Sequence, residues 1–195
     1  MKEYKLPYDS FIGGWFIDKD ICDNIVKYFK DTPNKFKTEG NVYSKKGRTI
    51  DKKVKDSLDL SICPKQYSPL FSDYRDKLQD CLEKYLIKYP ESNDLARFNI
   101  NDHYNIQYYK PNGGFKKWHN ERGSLLDTTR VLVFMTFLNN ASNGGTRFKY
   151  QKLTVPAKKG LTLIWPTDFT HTHKGQISKT HEKYIITGWY SFSNY

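Results

Sequence analysis

Two short stretches of this chain carry residue types that together could hold a metal. Trp118-His119-Asn120-Glu121 supplies an imidazole and a carboxylate two residues apart. On a strand such a pair shares one face, because side chains alternate with period two. Farther along, His171-Thr172-His173-Lys174-Gly175 offers a second imidazole. Two histidines and one carboxylate on one face leave coordination positions open, the donor set of non-haem Fe(II) oxygen chemistry. Lys183, ten residues beyond His173, adds a cation suited to the far carboxylate of an acidic cosubstrate.

His171 and His173 compete for the third ligand position. They alternate and would face the same way on a strand, so a three-histidine zinc site is an open alternative. Gly175 and the step to Lys183 place His173 in register with the final strand and favour it; His171 then lines the site or faces its edge. Lys183 heads the apolar run Tyr184-Ile185-Ile186-Thr187-Gly188-Trp189. A lysine pointing inward there needs a carboxylate partner, since a buried unpaired charge is costly. A bound dicarboxylate would supply one. His103 and His181 have no partner at useful spacing and read as surface residues.

The elements that must position these residues fall into a helical front and a strand-rich back. Asp18 or Asp20 caps a helix whose apolar face is Ile21, Ile25, Val26 and Phe29, and Pro33 ends it. Ser68-Pro69 starts a second helix with a buried stripe through Leu70, Tyr74, Leu78, Cys81, Leu82, Tyr85 and Leu86. Residues 34–56 between them are charged and aperiodic, the pattern of a mobile loop or irregular hairpin. From Arg97 onward the period shortens. Strands are expected at 104–109, 116–121, 130–138, 146–153, 161–165, 171–174 and 183–192, with turns at Pro111-Asn112-Gly113-Gly114 and Asn143-Gly144-Gly145. Roughly eight short strands at close spacing predict a mainly β fold, a β-sandwich or jelly roll with flanking helices.

Length and composition fit a single domain over 1–195, with 1–96 as helical support and mobile loop and 97–195 as the β core. Mean hydropathy is −0.77, and no apolar run approaches the ~18 residues of a membrane span. Cys22, Cys63 and Cys81 are too widely spaced for a zinc knuckle or disulfide framework, which suits a reducing cytoplasm. The net charge of +11 favours a polyanionic partner such as nucleic acid. Part of that excess is local: Lys35, Lys37, Lys45, Lys46, Arg48, Lys52, Lys53 and Lys55 stand against Glu39, Asp51 and Asp56.

From about Asn101 to Phe192 the chain resembles the prolyl 4-hydroxylase-like branch of the Fe(II)/2-oxoglutarate-dependent dioxygenases, most of all small stand-alone members from phage and viral genomes. The resemblance runs through Gln107-x-Tyr109-x-Pro111-x-Gly113, His119, Arg130, Phe137-Leu138-Asn139, Gly144-Gly145-Thr146-x-Phe148, Gly160, His173-x-Gly175, Lys183 and Trp189. It implies a double-stranded β-helix, a cupin-like jelly roll with the N-terminal helices packed on one sheet. It implies that His119, Glu121 and His173 bind Fe(II), that 2-oxoglutarate is the cosubstrate, and that Lys183 takes its distal carboxylate. Tyr109 is a candidate donor to the cosubstrate, and L-ascorbate a candidate reductant. Two residues depart from the family pattern. The usual aspartate ligand is Glu121, and the tyrosine common before Leu-Asn is Phe137, whose lost hydrogen bond Thr162 or Tyr109 would have to replace. Lys55-Asp56-Ser57 stands where relatives carry an Arg-x-Ser stretch in a substrate-covering loop.

The activity so implied is hydroxylation of a C–H bond with release of succinate and CO2, first of all on a prolyl residue of a peptide or protein, in the cytoplasm (the host's, for a viral protein). Trp118, Tyr150, Trp165 and Tyr190 are candidate platforms for a proline-rich chain, with Lys55 and Ser57 in the covering loop. The same chemistry on a nucleobase or small molecule is a second reading, and a non-enzymatic jelly-roll binding module a third.

Overall fold

A computed structural model describes residues 1–44 and 47–193. Both predicted helices form. The first, α1 (Lys19–Asp31), buries Cys22, Ile25 and Phe29 at spacings of three and four. The second, α2 (Pro69–Lys88), has Pro69 at its first position, where no intrahelical N–H bond is lost, and buries Phe71, Tyr74, Leu78, Cys81, Leu82 and Tyr85. Among the described residues no helix is long and apolar enough to cross a membrane.

Both helices pack on one face of a large antiparallel sheet. Its central strands, in spatial order, are Gly13–Phe16, Leu161–Pro166, Arg130–Phe137, Lys183–Phe192, Tyr104–Tyr109 and Leu58–Ile62. A small sheet of Leu153–Ala157, Ala141–Phe148 and His173–Gly175 faces the other side. The result is a jelly roll with helices on one sheet, as expected.

The period-two rule sorts side chains into two cores. Tyr184, Ile186 and Tyr190 meet the helices together with Tyr104, Ile106, Leu132, Phe134 and Ile164. Ile185 and Trp189 turn the other way and join Tyr109, Val133, Met135, Phe137, Leu161, Leu163 and Trp165 between the sheets. Each fully buried large side chain contributes about 1.5–3 kcal/mol.

Several expected elements differ. The front of the chain is more than helical support, since Gly13–Phe16 and Leu58–Ile62 lie within the large sheet. The 34–56 segment takes the hairpin form of the two expected, with Val42–Ser44 paired to Gly47–Thr49; Lys45 and Lys46 of its basic cluster lie outside the described residues. Asn143-Gly144-Gly145 is no hairpin turn but lies inside the strand Ala141–Phe148, where the register against Leu153–Ala157 shifts. Asn143 takes φ 55° there, a left-handed conformation that asparagine tolerates. A Cβ on Gly145 would meet the Val155 carbonyl oxygen at 2.1 Å, so the bulge admits glycine alone. The strand expected at 116–121 also fails to form: regular pairing stops at Gly114–Phe115, and only His119 makes a bridge.

Candidate functional site

His119, Glu121 and His173 come together at the open edge between the sheets. Their ligand atoms all lie within 4.8 Å of one another. Glu121 Oε1 is 3.3 Å from His119 Nε2 and 3.4 Å from His173 Nε2. The Glu121 side chain is 17% exposed and that of His119 19%, against 8% for His173, so the cluster opens on one side to solvent.

His119 and Glu121 sit on an irregular segment rather than a strand, and other bonds do the positioning. The His119 amide donates to the His173 carbonyl at 3.0 Å and the reverse bond is 2.8 Å, which locks the two ligands side by side. The Glu121 amide donates to the Thr167 carbonyl at 3.1 Å. His119 Nδ1 lies 3.0 Å from the Lys117 carbonyl and His173 Nδ1 2.9 Å from the His171 carbonyl. A carbonyl only accepts, so each Nδ1 holds the proton and each Nε2 turns a lone pair toward Glu121. Phe115 stacks on the His119 ring at 3.6 Å. Trp165 stands edge-on to His173 at 5.1 Å.

The protonation states suit a cation. Burial, then neighbouring His173, lowers the His119 pKa and favours neutral imidazole. Burial alone would raise Glu121, but the two histidines beside its Oε1 hold its carboxyl well below the ordinary range. Two imidazoles and one carboxylate on one side of an ion are the donor set of a non-haem Fe(II) site, with positions left for other ligands.

Lys183 heads its strand, faces the same interior and is 5% exposed. Among the described residues no carboxylate reaches it. Its ammonium approaches only the Gln176 carbonyl at 3.5 Å and the Tyr109 ring at 4.7 Å. Burial pushes its pKa down to about 8. Tyr109, directly opposite Lys183 in the sheet, donates to Gln107 Oε1 at 2.5 Å. A buried ammonium without a counter-ion fits an anionic cosubstrate.

Other expectations change. Thr162 does not face this space. It alternates with Leu161 and Leu163 and points at the helices, where its hydroxyl lies 2.8 Å from Thr136 Oγ1, itself 3.0 Å from the Tyr74 hydroxyl. It cannot replace the hydroxyl absent at Phe137, which is itself fully buried between the sheets. His171 leaves the metal cluster because it ends a 3-10 turn instead of starting a strand. Its ring bonds Thr170 Oγ1 and the Ser10 carbonyl, each at 3.0 Å, which removes the three-histidine alternative.

Trp165 is 1% exposed and Tyr190 2%, the latter in the helix-facing core, so neither is an open platform. Trp118 is half-buried under the Lys174 ammonium at 4.7 Å, and Tyr150 is exposed. Lys55 is no free loop cation: its ammonium pairs with Asp59 at 2.6 Å, and Ser57 donates to the other Asp59 oxygen at 2.7 Å. The strand Lys55–Asp56 pairs with Gly114–Phe115, directly ahead of His119, so this segment is tied to the site's wall.

Sequence reasoning missed the surroundings of Glu121. Trp189 Nε1 donates to Glu121 Oε2 at 3.1 Å, and Arg130 donates to the Glu121 carbonyl at 2.9 Å. Both belong to the motif run, but no spacing rule links residues so far apart.

A helix-backed jelly roll with two imidazoles and a carboxylate at its open edge has the donor set of a mononuclear non-haem iron site. The family comparison says which kind. Residues 104–191 match the model of the 2OG-Fe(II) oxygenase superfamily, a segment that holds the three candidate ligands, Tyr109 and Lys183. Residues 104–191 thus carry a 2OG-Fe(II) oxygenase domain, with Fe(II) and 2-oxoglutarate as its cofactors, and the chain has a prolyl-4-hydroxylase-like fold. A Pseudomonas putida prolyl-4-hydroxylase superposes with TM-score 0.70 at 14% identity, covering 96% of this chain and 97% of that one. The viral collagen prolyl hydroxylase of Paramecium Bursaria Chlorella virus-1, in its 2OG complex, gives 0.68 at 15% identity over 94% and 97%. A Trichoplax adhaerens prolyl hydroxylase in complex with a hypoxia inducible factor oxygen degradation domain peptide fragment gives 0.68 at 12% over 93% and 84%. These identities establish a shared fold. No curated protein matches the chain.

Proposed function

We propose that this enzyme hydroxylates a prolyl residue in a peptide or protein with O2 as oxidant, one oxygen atom entering the product and the other entering succinate as 2-oxoglutarate loses CO2. His119, Glu121 and His173 hold Fe(II), and Lys183 takes the distal carboxylate of 2-oxoglutarate. The observation that carries this reading is Lys183, a buried ammonium without a carboxylate, on the same interior side as the ligand cluster. Bound Fe(II) with 2-oxoglutarate supplies the oxidising chemistry.

The protein's own part is to bind, orient and shield. Each histidine offers Nε2 because its Nδ1 proton is held by a main-chain carbonyl. Phe115, Phe148 and Trp165 wall the histidines and keep water from that side. Tyr109, fixed by Gln107, lies under the Lys183 ammonium. The chain acts as one domain over 1–195, since strands from both halves share one sheet. Support for a prolyl substrate comes from fold likeness to proteins described as prolyl hydroxylases. A nucleobase substrate has less: Lys52 and Lys55 of the basic segment are ion-paired within the protein to Glu39 and Asp59.

The test is an anaerobic titration of metal-free protein with Fe(II) and 2-oxoglutarate, followed by the visible charge-transfer band. The band should vanish in His173→Ala and weaken in Lys183→Ala. Succinate and hydroxyproline should then form together on proline-rich peptides. Absence of the band in wild type sinks the site assignment, and a band without hydroxyproline on any prolyl peptide sinks the substrate.

A further inference from the structure

Two side chains besides the histidines hold Glu121. Its Oε1 faces both imidazoles, while its Oε2 accepts the Trp189 indole N–H at 3.1 Å. The Arg130 guanidinium lies 3.7 Å over the Trp189 ring and donates to the Glu121 carbonyl at 2.9 Å. Arg130 is itself fixed by Asp127 at 2.8 Å, and Asp127 by the Ser124 hydroxyl at 2.5 Å. The two carboxylate oxygens therefore have different partners, one facing the histidines and one facing the indole.

From this geometry we propose that Trp189, backed by Arg130, is a positioning residue that restricts Glu121 to one metal-facing oxygen. A glutamate has one more rotatable bond than an aspartate and can present either oxygen or both to an ion. A donor on Oε2 removes that freedom, and stacking under the guanidinium removes the indole's own freedom. Arm length and indole position form one unit. An aspartate at 121, a methylene shorter, cannot reach the Trp189 N–H and the two Nε2 atoms from the same backbone. This inference rests on the metal site proposed above.

The test is Co(II) affinity of the protein without 2-oxoglutarate, by calorimetry and visible absorption, with Tm recorded for each variant. Trp189 is half-buried, so Trp189→Phe keeps most of the packing and removes the N–H. It should weaken Co(II) binding about 10- to 100-fold with little change in Tm. Glu121→Asp should weaken it too, and adding Trp189→Phe to Glu121→Asp should cost nothing more, because the bond is already gone. Arg130→Met, which leaves the indole in place, should give a smaller loss and serves if Trp189→Phe does not fold. Unchanged Co(II) affinity in Trp189→Phe, or losses that multiply in the double variant, overturns the positioning role. Wild type that binds no Co(II) overturns the metal-site assignment itself, a different result.

Discussion

Along Lys183–Phe192, Tyr184, Ile186 and Tyr190 meet the helices, while Lys183, Ile185 and Trp189 turn into the space between the sheets. The same strands thus make two opposite surfaces. On the helix side the buried polar atoms described here are mutually satisfied: Tyr74 with Thr136, Thr136 with Thr162, and the Tyr85 hydroxyl with the Phe11 carbonyl. On the interior side a buried ammonium stands without a counter-ion among the described residues, and a carboxylate is shared between two imidazoles. One face is spent on stability and the other keeps a standing electrostatic cost. Folding alone gains nothing from an unpaired buried charge, so the unpaired face is where ligands belong.

The comparison breaks most visibly at the ligands. His173→Ala should abolish the Fe(II)–2-oxoglutarate charge-transfer band and succinate production while leaving the helix-side core intact, measurable as a retained cooperative thermal transition. The opposite experiment is Leu78→Ala. Leu78 is 1% exposed against the sheet, and its truncation should destabilise by about 2–5 kcal/mol in denaturant titrations, with little change in metal affinity of the folded fraction. Similar metal loss in both variants would mean that the two faces are one mechanical unit.

Lys183 sharpens the contrast, because there function and stability oppose each other. Lys183→Met should weaken 2-oxoglutarate binding yet raise the stability of the ligand-free protein by about 1–3 kcal/mol, the cost of an unsatisfied buried polar group. The pH dependence carries the same signature. The folded protein holds Lys183 at a pKa of about 8, below the ordinary 10.5 of an exposed lysine. Between those values the unfolded chain binds a proton that the folded one does not, so this residue makes ligand-free stability rise with pH from about 8 upward. Cosubstrate affinity runs the other way. Binding a carboxylate requires the ammonium, so the dissociation constant should be flat below pH 8 and rise toward tenfold per pH unit above it. Isothermal titrations at pH 7 and 9 on wild type and Lys183→Met check both signs, and a pH-independent wild type refutes the role of this lysine.

How much of this was readable before the structure depended on whether a residue's surroundings were local. Both helices and the strands 104–109 and 183–192 follow from periodicity, which is a property of neighbours in sequence. His119, Glu121, His173 and Lys183 were legible as a set of types and spacings. The support beneath them was not. His119 is placed by a bridge to His173 and a stacked Phe115, Glu121 by Trp189 and Arg130, and Lys55 by a buried Asp59. Phe115 with His119 and Lys55 with Asp59 are local in sequence but lie on no helix, and the other contacts join distant segments, so none follows a sequence period. The glycine pair at 144–145 misled because Gly-Gly marks a turn or a bulge equally well, and only the partner strand decides.

Thr162 shows the limit most sharply and supplies the smallest expected effect. Its strand, Leu161-Thr162-Leu163-Ile164-Trp165, is apolar on both faces because both are buried, so alternation alone does not say which face meets the cosubstrate. The structure puts Thr162 with the helices, in a chain of hydroxyls through Thr136 to Tyr74. Thr162→Val should therefore cost about 0.5–1.5 kcal/mol of stability, one buried hydrogen bond, and leave 2-oxoglutarate affinity unchanged. A cosubstrate that binds several-fold more weakly to Thr162→Val, at unchanged Tm, would return this residue to the interior face and undo the separation between the two sides of the sheet.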